Sequence, residues 1–506
     1  MPRINQETAS VVDNGFPQVR AAQREWAQTP ISHRLRFVRK LRSSLAEHAL
    51  ELAECSGALR NRPVLETLTA EVVPLAQACK FLEREAAKIL RTRRVGSRGR
   101  PLWLSGVRSQ ISRDPFGVIL IIGPGNYPLF LPGVQMIQAL VAGNAVVVKP
   151  GVGGYDMACY LANLIVQSGV NPHLVVILPE SVESAETAIA QRPDKVLFTG
   201  SATTGKKILA QLAPLLIPST MELSGCDPVI ILEDADLGLA AKAIAFGLLL
   251  NGGATCLAPR RVIVTAARVD EFITILNKEL DERMAQNSFS DSNSNQLVTS
   301  LTKDLTSTLQ SLVADAVSRG AEVISGSIYS EGILKAPLIL RDVEPQSLLL
   351  KEDLFLPVLA IVKVATESDA IRMANECPYA LGASIFSRDE SATQRVGNKI
   401  LTGVITINDI IIPTADARLP FGGRKNSGFG VTRGAEGLLE LTTPKVTTIT
   451  KQNFRPAYEQ PLHGDENLFL CYLSIVHSAR FSLKVSGLVR LMKTILQRNS
   501  NITNRL

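Results

Sequence analysis

The seven cysteines, Cys55, Cys79, Cys159, Cys226, Cys256, Cys377 and Cys471, show no paired spacing. That argues against a disulfide framework and a zinc site, and points to a reducing compartment. The N-terminus, Met1-Pro2-Arg3-Ile4-Asn5-Gln6-Glu7, lacks the basic segment and apolar run of a secretory leader. No uninterrupted apolar stretch reaches the roughly 18 residues that a membrane span needs. A cytoplasmic chain is therefore expected. The charge balance leans basic, with a formal charge of +7 and a pI near 9.0, but no nucleic-acid motif accompanies it. Arg34 to Arg42 are interleaved with Leu35, Phe37, Val38 and Leu41 at helical spacing, as on the solvated face of an amphipathic helix. Arg91-Thr92-Arg93-Arg94 lies in a link without aromatic interleaving. No nucleic-acid partner is expected, and charge alone does not choose between anionic cofactors and lipids.

What is present is ordinary globular text. With 506 residues, 46% hydrophobic and 20% charged, the chain is long enough for a large core and more than one domain. Residues 10 to 90 carry helical periodicity. Residues 101 to 113, with Trp103 and Val107, turn to β-leaning text that ends in Asp114-Pro115-Phe116-Gly117. From Val118 the pattern alternates: strand 118–122, helix about 130–142, strand 145–148, helix about 155–168, then strands 174–178 and 195–198. Such alternation predicts a doubly wound parallel sheet. Beyond position 256 a strand at 261–265 and helices around 268–285 and 302–319 predict a second α/β domain.

Three short segments carry chemistry. In Asn251-Gly252-Gly253-Ala254-Thr255-Cys256 a thiol follows a run of small residues that lets a ligand approach the backbone. A lone cysteine is more often a small buried hydrophobe, so Cys256 matters only in company. Met221-Glu222-Leu223-Ser224-Gly225 sets a carboxylate in apolar text, where desolvation raises its pKa and makes it a usable general base. Ile121-Ile122-Gly123-Pro124-Gly125-Asn126 ends a strand in a turn whose amide side chain can donate to an oxyanion. Nucleophile Cys256, base Glu222 and donor Asn126 make an acyl-transfer constellation.

On these motifs, from roughly residue 10 to 450, the sequence resembles the aldehyde dehydrogenase superfamily, NAD(P)-dependent enzymes that oxidise aldehydes to acids. The resemblance implies two doubly wound α/β domains plus an oligomerisation arm. A cofactor-binding domain is expected over 1–221 with an arm segment at about 99–115, and a catalytic domain over 222–430. A return to the cofactor domain and arm follows at 431–452, then a C-terminal extension at 453–506. The resemblance assigns Lys149, ending Val146-Val147-Val148-Lys149-Pro150, to the adenosine ribose. It assigns Gly200, Ser201 and Gly205 of Phe198-Thr199-Gly200-Ser201-Ala202-Thr203-Thr204-Gly205 to the pyrophosphate at a helix N-terminus. Lys351-Glu352-Asp353-Leu354-Phe355-Leu356-Pro357 resembles the Glu-x-Phe-Gly-Pro motif, with Asp353 for the nicotinamide ribose and Phe355 beside the ring. Pro420-Phe421-Gly422-Gly423-Arg424-Lys425-Asn426-Ser427-Gly428 is a late motif near the active site, with no chemical role assigned. Gly428-Phe429-Gly430-Val431-Thr432-Arg433-Gly434 mimics a dinucleotide fingerprint but lacks a suitable preceding strand.

The departures concern the cofactor and the surroundings of the site. Val152 stands where a ribose-gripping glutamate is common, which removes an acceptor and also the repulsion that excludes a 2′-phosphate, so NAD or NADP is expected without preference. Asp353 is one methylene short and Leu356 replaces a glycine. Gly125 replaces a large aromatic and Cys226 a lysine. The resemblance implies attack by Cys256, an oxyanion held by Asn126 and the Cys256 N–H, hydride transfer, and hydrolysis of the thioester by water activated by Glu222, without a metal. Three alternatives remain: an acyl-CoA-linked relative, against which Glu222 argues; a silent scaffold of the same fold; and a nucleic-acid-binding protein, supported only by charge. A homodimer or tetramer is implied. Residues 451–461 read as a polar linker. The apolar and basic text of Leu468 to Leu496 reads either as an interfacial helix on an anionic membrane or as a helix docked on a neighbouring subunit.

Overall fold

Val118–Ile122 is an unbroken run of Val, Ile and Leu, too short for a helix and apolar on both sides, as a strand covered on both faces of a parallel sheet must be. The computed structural model of the chain describes residues 16–58, 62–100, 104, 106–287, 297–329, 332–450 and 465–503. Trp103, the N-terminal heptapeptide and the polar stretch 451–461 lie outside these. The chain forms two units. One comprises Met1–Arg93 and Ile111–Lys445, the other Arg94–Gln110 and Val446–Leu506.

In the first unit, strands β1 (Val118–Ile122), β2 (Ala145–Lys149), β3 (Val175–Ile177), β4 (Lys195–Gly200) and β5 (Ser219–Leu223) form a parallel sheet in the order β5-β4-β1-β2-β3. The short strand Gly428–Phe429 adds antiparallel to the β5 edge. Helices α1 (Phe130–Ala142), α2 (Tyr155–Gln167) and α3 (Ala202–Leu212) provide crossovers. Ile122 pairs with Lys149 on one side and Phe198 on the other, while Gly200 pairs with Leu223. The ends of β1, β2, β4 and β5 thus lie along one carboxyl edge. The chain order reverses at β1, and at such a switch point open α/β sheets leave a ligand crevice.

A second, eight-stranded sheet begins with β6 (Asp227–Ile231) and β7 (Pro259–Thr265) and continues through β8 (Leu297–Ser300), β9 (Glu322–Tyr329), β10 (Ile333–Arg341), β11 (Val358–Val364), β12 (Gly382–Phe386) and β13 (Val404–Ile407). Its order is β8-β10-β11-β7-β6-β12-β13, with β9 on β10, and only β8 and β9 run antiparallel to their neighbour. Separate apolar clusters fill its two faces, and a third joins the first sheet to the N-terminal helices. The helix Ile31–Glu47 buries Phe37, Val38, Leu41 and Leu45, as its spacing predicts. Arg34, however, is turned inward to donate to the Val141 carbonyl at 2.7 Å.

Three strands, Arg93–Val95, Val107–Pro115 and Thr442–Thr450, form a small sheet with Val107–Pro115 in the middle. The basic link at Arg93 is therefore in part a strand. The C-terminal text, read as one helix, is two: Asp465–His477 and Phe481–Thr503. They break at Ser478-Ala479-Arg480, where the Ser478 hydroxyl accepts from the Arg480 N–H at 3.1 Å. The two helices pack on each other, closely enough that a side chain at Gly487 would meet Ser474 at 2.9 Å. Among the described residues, no helix is long and apolar enough to cross a membrane.

Candidate active site

The carboxyl edge of the first sheet meets the amino edge of the second, and the chemistry-bearing residues gather at that seam. The Cys256 loop leads into β7, and just before it Asn251, Gly252 and Gly253 take left-handed conformations with φ of 53°, 60° and 79°. Gly253 is obligatory on a second count, because a Cβ there would sit 2.4 Å from the Pro357 nitrogen. Arg260 holds the turn from below: its guanidinium donates to the carbonyls of Gly253 at 2.7 Å and Leu356 at 2.6 Å and pairs with Asp353 at 3.2 Å.

Asn126 is buried, and its Nδ2 donates to the Ala254 carbonyl at 3.0 Å, two residues before the thiol. Asn251 returns the contact, donating to the Asn126 carbonyl at 3.0 Å. The Tyr127 hydroxyl lies 2.6 Å from that of Thr255. The asparagine turn is itself fixed by a buried pair, Arg62 with Glu71. Glu71 accepts from the N–H groups of Leu129 at 2.8 Å and Phe130 at 3.0 Å at the start of α1, where a helix end favours negative charge.

Cys256 is half-buried and opens into a cavity of about 720 Å³. The walls are mainly apolar, with Phe130, Leu131, Phe246, Leu249, Ile412 and Phe421 among them, and the charged lining groups are Glu66, Arg283 and Arg433. Burial pushes the thiol up to about 12, and the negative charges of Glu222, Asp227 and Asp353 push the same way while Arg433 opposes them. Cys226, by contrast, is fully buried away from this cavity and donates to the Leu350 carbonyl at 3.6 Å, with its hydrogen bond to Cys377 and then burial raising its pKa.

Glu222 pairs with Thr199 across the sheet and with Gly428 on the edge strand. It is buried, which raises its pKa, while Arg433, Thr432 and Thr199 counter the rise. The carboxylate accepts from Thr432 at 3.1 Å, Thr199 at 3.1 Å and Gln135 at 3.5 Å. A smaller hollow lined by Glu222 and Thr432 shares Phe130, Leu131 and Arg433 with the large cavity, so these three residues form a common wall between the two. The glycine-rich segment set aside as a fingerprint mimic supplies Arg433 to this wall, while Phe130 and Leu131 come from α1, and its Gly428 lies against the Met221 carbonyl with no room for a Cβ. Thr432, Arg433, Gln135 and Arg260 went unassigned by sequence reasoning. The only signal was that the first two fall in a segment beside the late motif.

Along the crevice, Lys149 is half-buried at the end of β2, where burial lowers its pKa and Glu180 opposes the change. Val152 is 76% exposed, and Glu180 accepts from the nearby N–H groups of Gly153 at 2.8 Å and Tyr155 at 2.7 Å. Ser201 is the N-cap of α3, accepting from the Thr204 N–H at 3.2 Å. Gly200 and Gly205 allow close packing, since a Cβ on either would press Phe198 or Leu223 at 2.5 and 2.8 Å. Asp353 turns into Arg260 and the Phe355 N–H, and its Oδ2 is buried without a partner. Phe355 has φ +52° and its ring lies 6.0 Å from the Arg260 guanidinium carbon. A cation at a strand end, the N-terminus of α3 and an orphaned carboxylate oxygen fit a bound dinucleotide. Among the described residues, no cluster of His, Cys, Asp and Glu is placed to hold a metal ion.

The model of the aldehyde dehydrogenase family matches residues 1–447. The 4,4'-diapolycopene aldehyde oxidase of Methylomonas sp. is 30% identical over 88% of this chain and 83% of its own. The 4,4'-diaponeurosporen-aldehyde dehydrogenase of Staphylococcus aureus is 31% identical over 80% of this chain and 86% of its own. Among solved structures, the NADP-dependent glyceraldehyde-3-phosphate dehydrogenase of Bacillus halodurans in complex with NADP is similar with a TM-score of 0.78, at 28% identity over 89% of this chain and 92% of that one. The chain belongs to the aldehyde dehydrogenase family, NAD(P)-dependent oxidoreductases that act on aldehydes.

Proposed function

We propose that this enzyme oxidises apolar aldehydes to carboxylic acids through a thioester on Cys256. The observation that carries the substrate class is the cavity at Cys256, about 720 Å³ and walled mainly by aliphatic and aromatic side chains. The names of the two relatives, built on 4,4'-diapolycopene aldehyde and 4,4'-diaponeurosporen-aldehyde, support the same direction. Cys256, as thiolate, bonds to the aldehyde carbon, and the oxyanion is held by the Asn126 amide and the Cys256 N–H. NAD(P)+, when bound, supplies the hydride acceptor. Lys149, Ser201 at the α3 N-terminus and Asp353 hold the dinucleotide, with Phe355 beside its nicotinamide. Glu222 takes a proton from the water that cleaves the thioester. The first sheet then serves as the cofactor-binding half and the second as the catalytic half. Burying one methylene is worth about 0.8 kcal/mol, roughly fourfold in kcat/KM. A panel of aldehydes run with NAD and with NADP should therefore show kcat/KM rising severalfold with each methylene that the cavity buries between butanal and decanal. A preference for a short carboxylated semialdehyde over decanal would overturn the substrate class, and no turnover with any pair would overturn the activity.

We further infer that the C-terminal helical pair rests on an anionic lipid surface. It exposes Phe469, Leu470, Leu473, Phe481, Leu488 and Leu496. Its only acids, Asp465 and Glu466, stand at one end, whereas Arg480, Lys484, Arg490 and Lys493 lie among the apolar side chains. Each such basic group adds about 1 kcal/mol of attraction near an anionic leaflet, an effect that salt screens. Full-length enzyme should float with phosphatidylglycerol vesicles at low salt and much less at high salt. Truncation after Gln460 should abolish flotation and leave turnover of a soluble aldehyde unchanged. Failure of the full-length protein to float, or a fall in oligomer mass on truncation, would place the pair on a neighbouring subunit instead.

A further inference from the structure

Among the described residues, Arg62, Arg260, Arg261 and Arg433 are buried, and two of them face a carboxylate directly, Arg62 with Glu71 and Arg260 with Asp353, while Arg261 donates to the carbonyls of Cys226 and Met373. Arg433 is placed differently. Its Nη1 donates to the Thr414 carbonyl at 2.7 Å and its Nε is buried without a partner. The guanidinium carbon lies 4.2 Å from the Phe421 ring centroid and 5.6 Å from that of Phe130. The residue itself sits at φ +62°, costly for a side-chain-bearing residue. A buried cation held by one carbonyl and two ring faces is expensive unless an anion compensates it. The groups positioned to do so are those on either side of the wall it forms: Cys256 in the large cavity and Glu222 in the smaller hollow.

We propose that Arg433 is the counter-charge shared by Cys256 and Glu222, a positioning residue that keeps the nucleophile and the base anionic in turn during one catalytic cycle. Glu222, Asp227 and Asp353 disfavour the thiolate, and Arg433 opposes them. Once the thiol is acylated it no longer carries charge, and the guanidinium is left to the carboxylate, at the stage where Glu222 must accept a proton. The aromatic faces suit this division, because they hold the cation in place without neutralising it. This inference rests on the reading of Cys256 as nucleophile.

The test follows carbamidomethylation of Cys256 by iodoacetamide in the full-length protein, read by mass spectrometry of the Cys256 peptide, so that it does not depend on turnover. Removing the charge raises the thiol pKa and lowers the thiolate fraction, partly offset by the greater nucleophilicity of a more basic thiolate. Arg433→Met should slow alkylation at pH 8 by at least about threefold for each pKa unit gained. Arg433→Gln, which retains a donor for the Thr414 carbonyl, should do the same, and serves if the methionine variant does not fold. Arg433→Lys should recover most of the wild-type rate. The acid limb of the kcat/KM profile should move to higher pH in the two uncharged variants and not in the lysine variant. Wild-type alkylation rates in both uncharged variants, or a lysine variant no better than glutamine, would overturn the proposal. Loss of turnover in Cys256→Ala is a separate measurement, so failure of the nucleophile and failure of the counter-charge are distinguishable.

Discussion

Cys256→Ala should abolish aldehyde oxidation, with kcat falling by at least about 10⁴-fold, the scale on which loss of a covalent nucleophile acts. Cys226→Ala should keep activity within a fewfold of the wild type. The contrast follows from placement. Cys256 opens into the large cavity beside the Asn126 turn, whereas Cys226 is fully buried and spends its S–H on the Leu350 carbonyl at 3.6 Å. Losing the Cys226 thiol removes a weak hydrogen bond and a small apolar volume, a cost of about 1 kcal/mol of stability that appears in the melting temperature and not in kcat. Cofactor binding should survive in Cys256→Ala, since the substitution removes none of the groups assigned to the dinucleotide, and a retained dinucleotide affinity would show that chemistry alone was lost. A dead Cys226→Ala variant beside an active Cys256→Ala one would reverse the assignment.

The first sheet was legible because strands buried on both faces write themselves as unbroken apolar runs. Val118–Ile122 and Ala145–Lys149 have no competing helical reading at that length. The second sheet was less so. Glu322–Tyr329 is half-exposed and pairs through two register shifts, so neither alternation nor a continuous run marks it. In the tail, apolar and basic residues continue through Ser478-Ala479-Arg480 without a glycine or proline, and the turn is made by a local serine hydrogen bond. Composition alone does not signal that break.

The site divides in the same way. Cys256, Glu222 and Asn126 stand out because each is a reactive or polar group in text otherwise built of small or apolar residues. What holds and tunes them is tertiary. Thr432 reaches Glu222 from 210 positions along the chain, Asn126 reaches Ala254 across 128, and Arg260 ties Gly253 to Asp353. No spacing rule predicts such contacts, since they exist only in the folded chain; the first requires β5 and the strand Gly428–Phe429 to pair. Asp353 illustrates the converse: a motif position was visible, but its pairing with Arg260 was not.

Glu222→Gln should separate the two halves of the reaction. The amide keeps the shape and the hydrogen-bonding reach toward Thr199, Thr432 and Gln135 but has no basicity, so acylation of Cys256 proceeds and hydrolysis stalls. A rapid-mixing experiment should show a burst of reduced cofactor approaching one equivalent per active site. A steady state slower by about 10² to 10⁴ should follow, the usual contribution of a positioned base. Hydroxylamine, which discharges thioesters without a base, should restore continuous turnover and yield the hydroxamate. The sign of the pH dependence also follows from burial: with its pKa raised, wild-type Glu222 gains its proton-accepting form at a higher pH than an exposed carboxylate does. The deacylation rate of the wild type should therefore rise with pH through that raised value, and this limb should vanish in the glutamine variant. The thiol should become more reactive at the same time, because removing the carboxylate's charge removes one of the groups that hold Cys256 protonated. A glutamine variant with an unimpaired steady state and no burst would remove Glu222 from the mechanism. A burst relieved by coenzyme A in place of water would instead identify the acyl acceptor as a thiol.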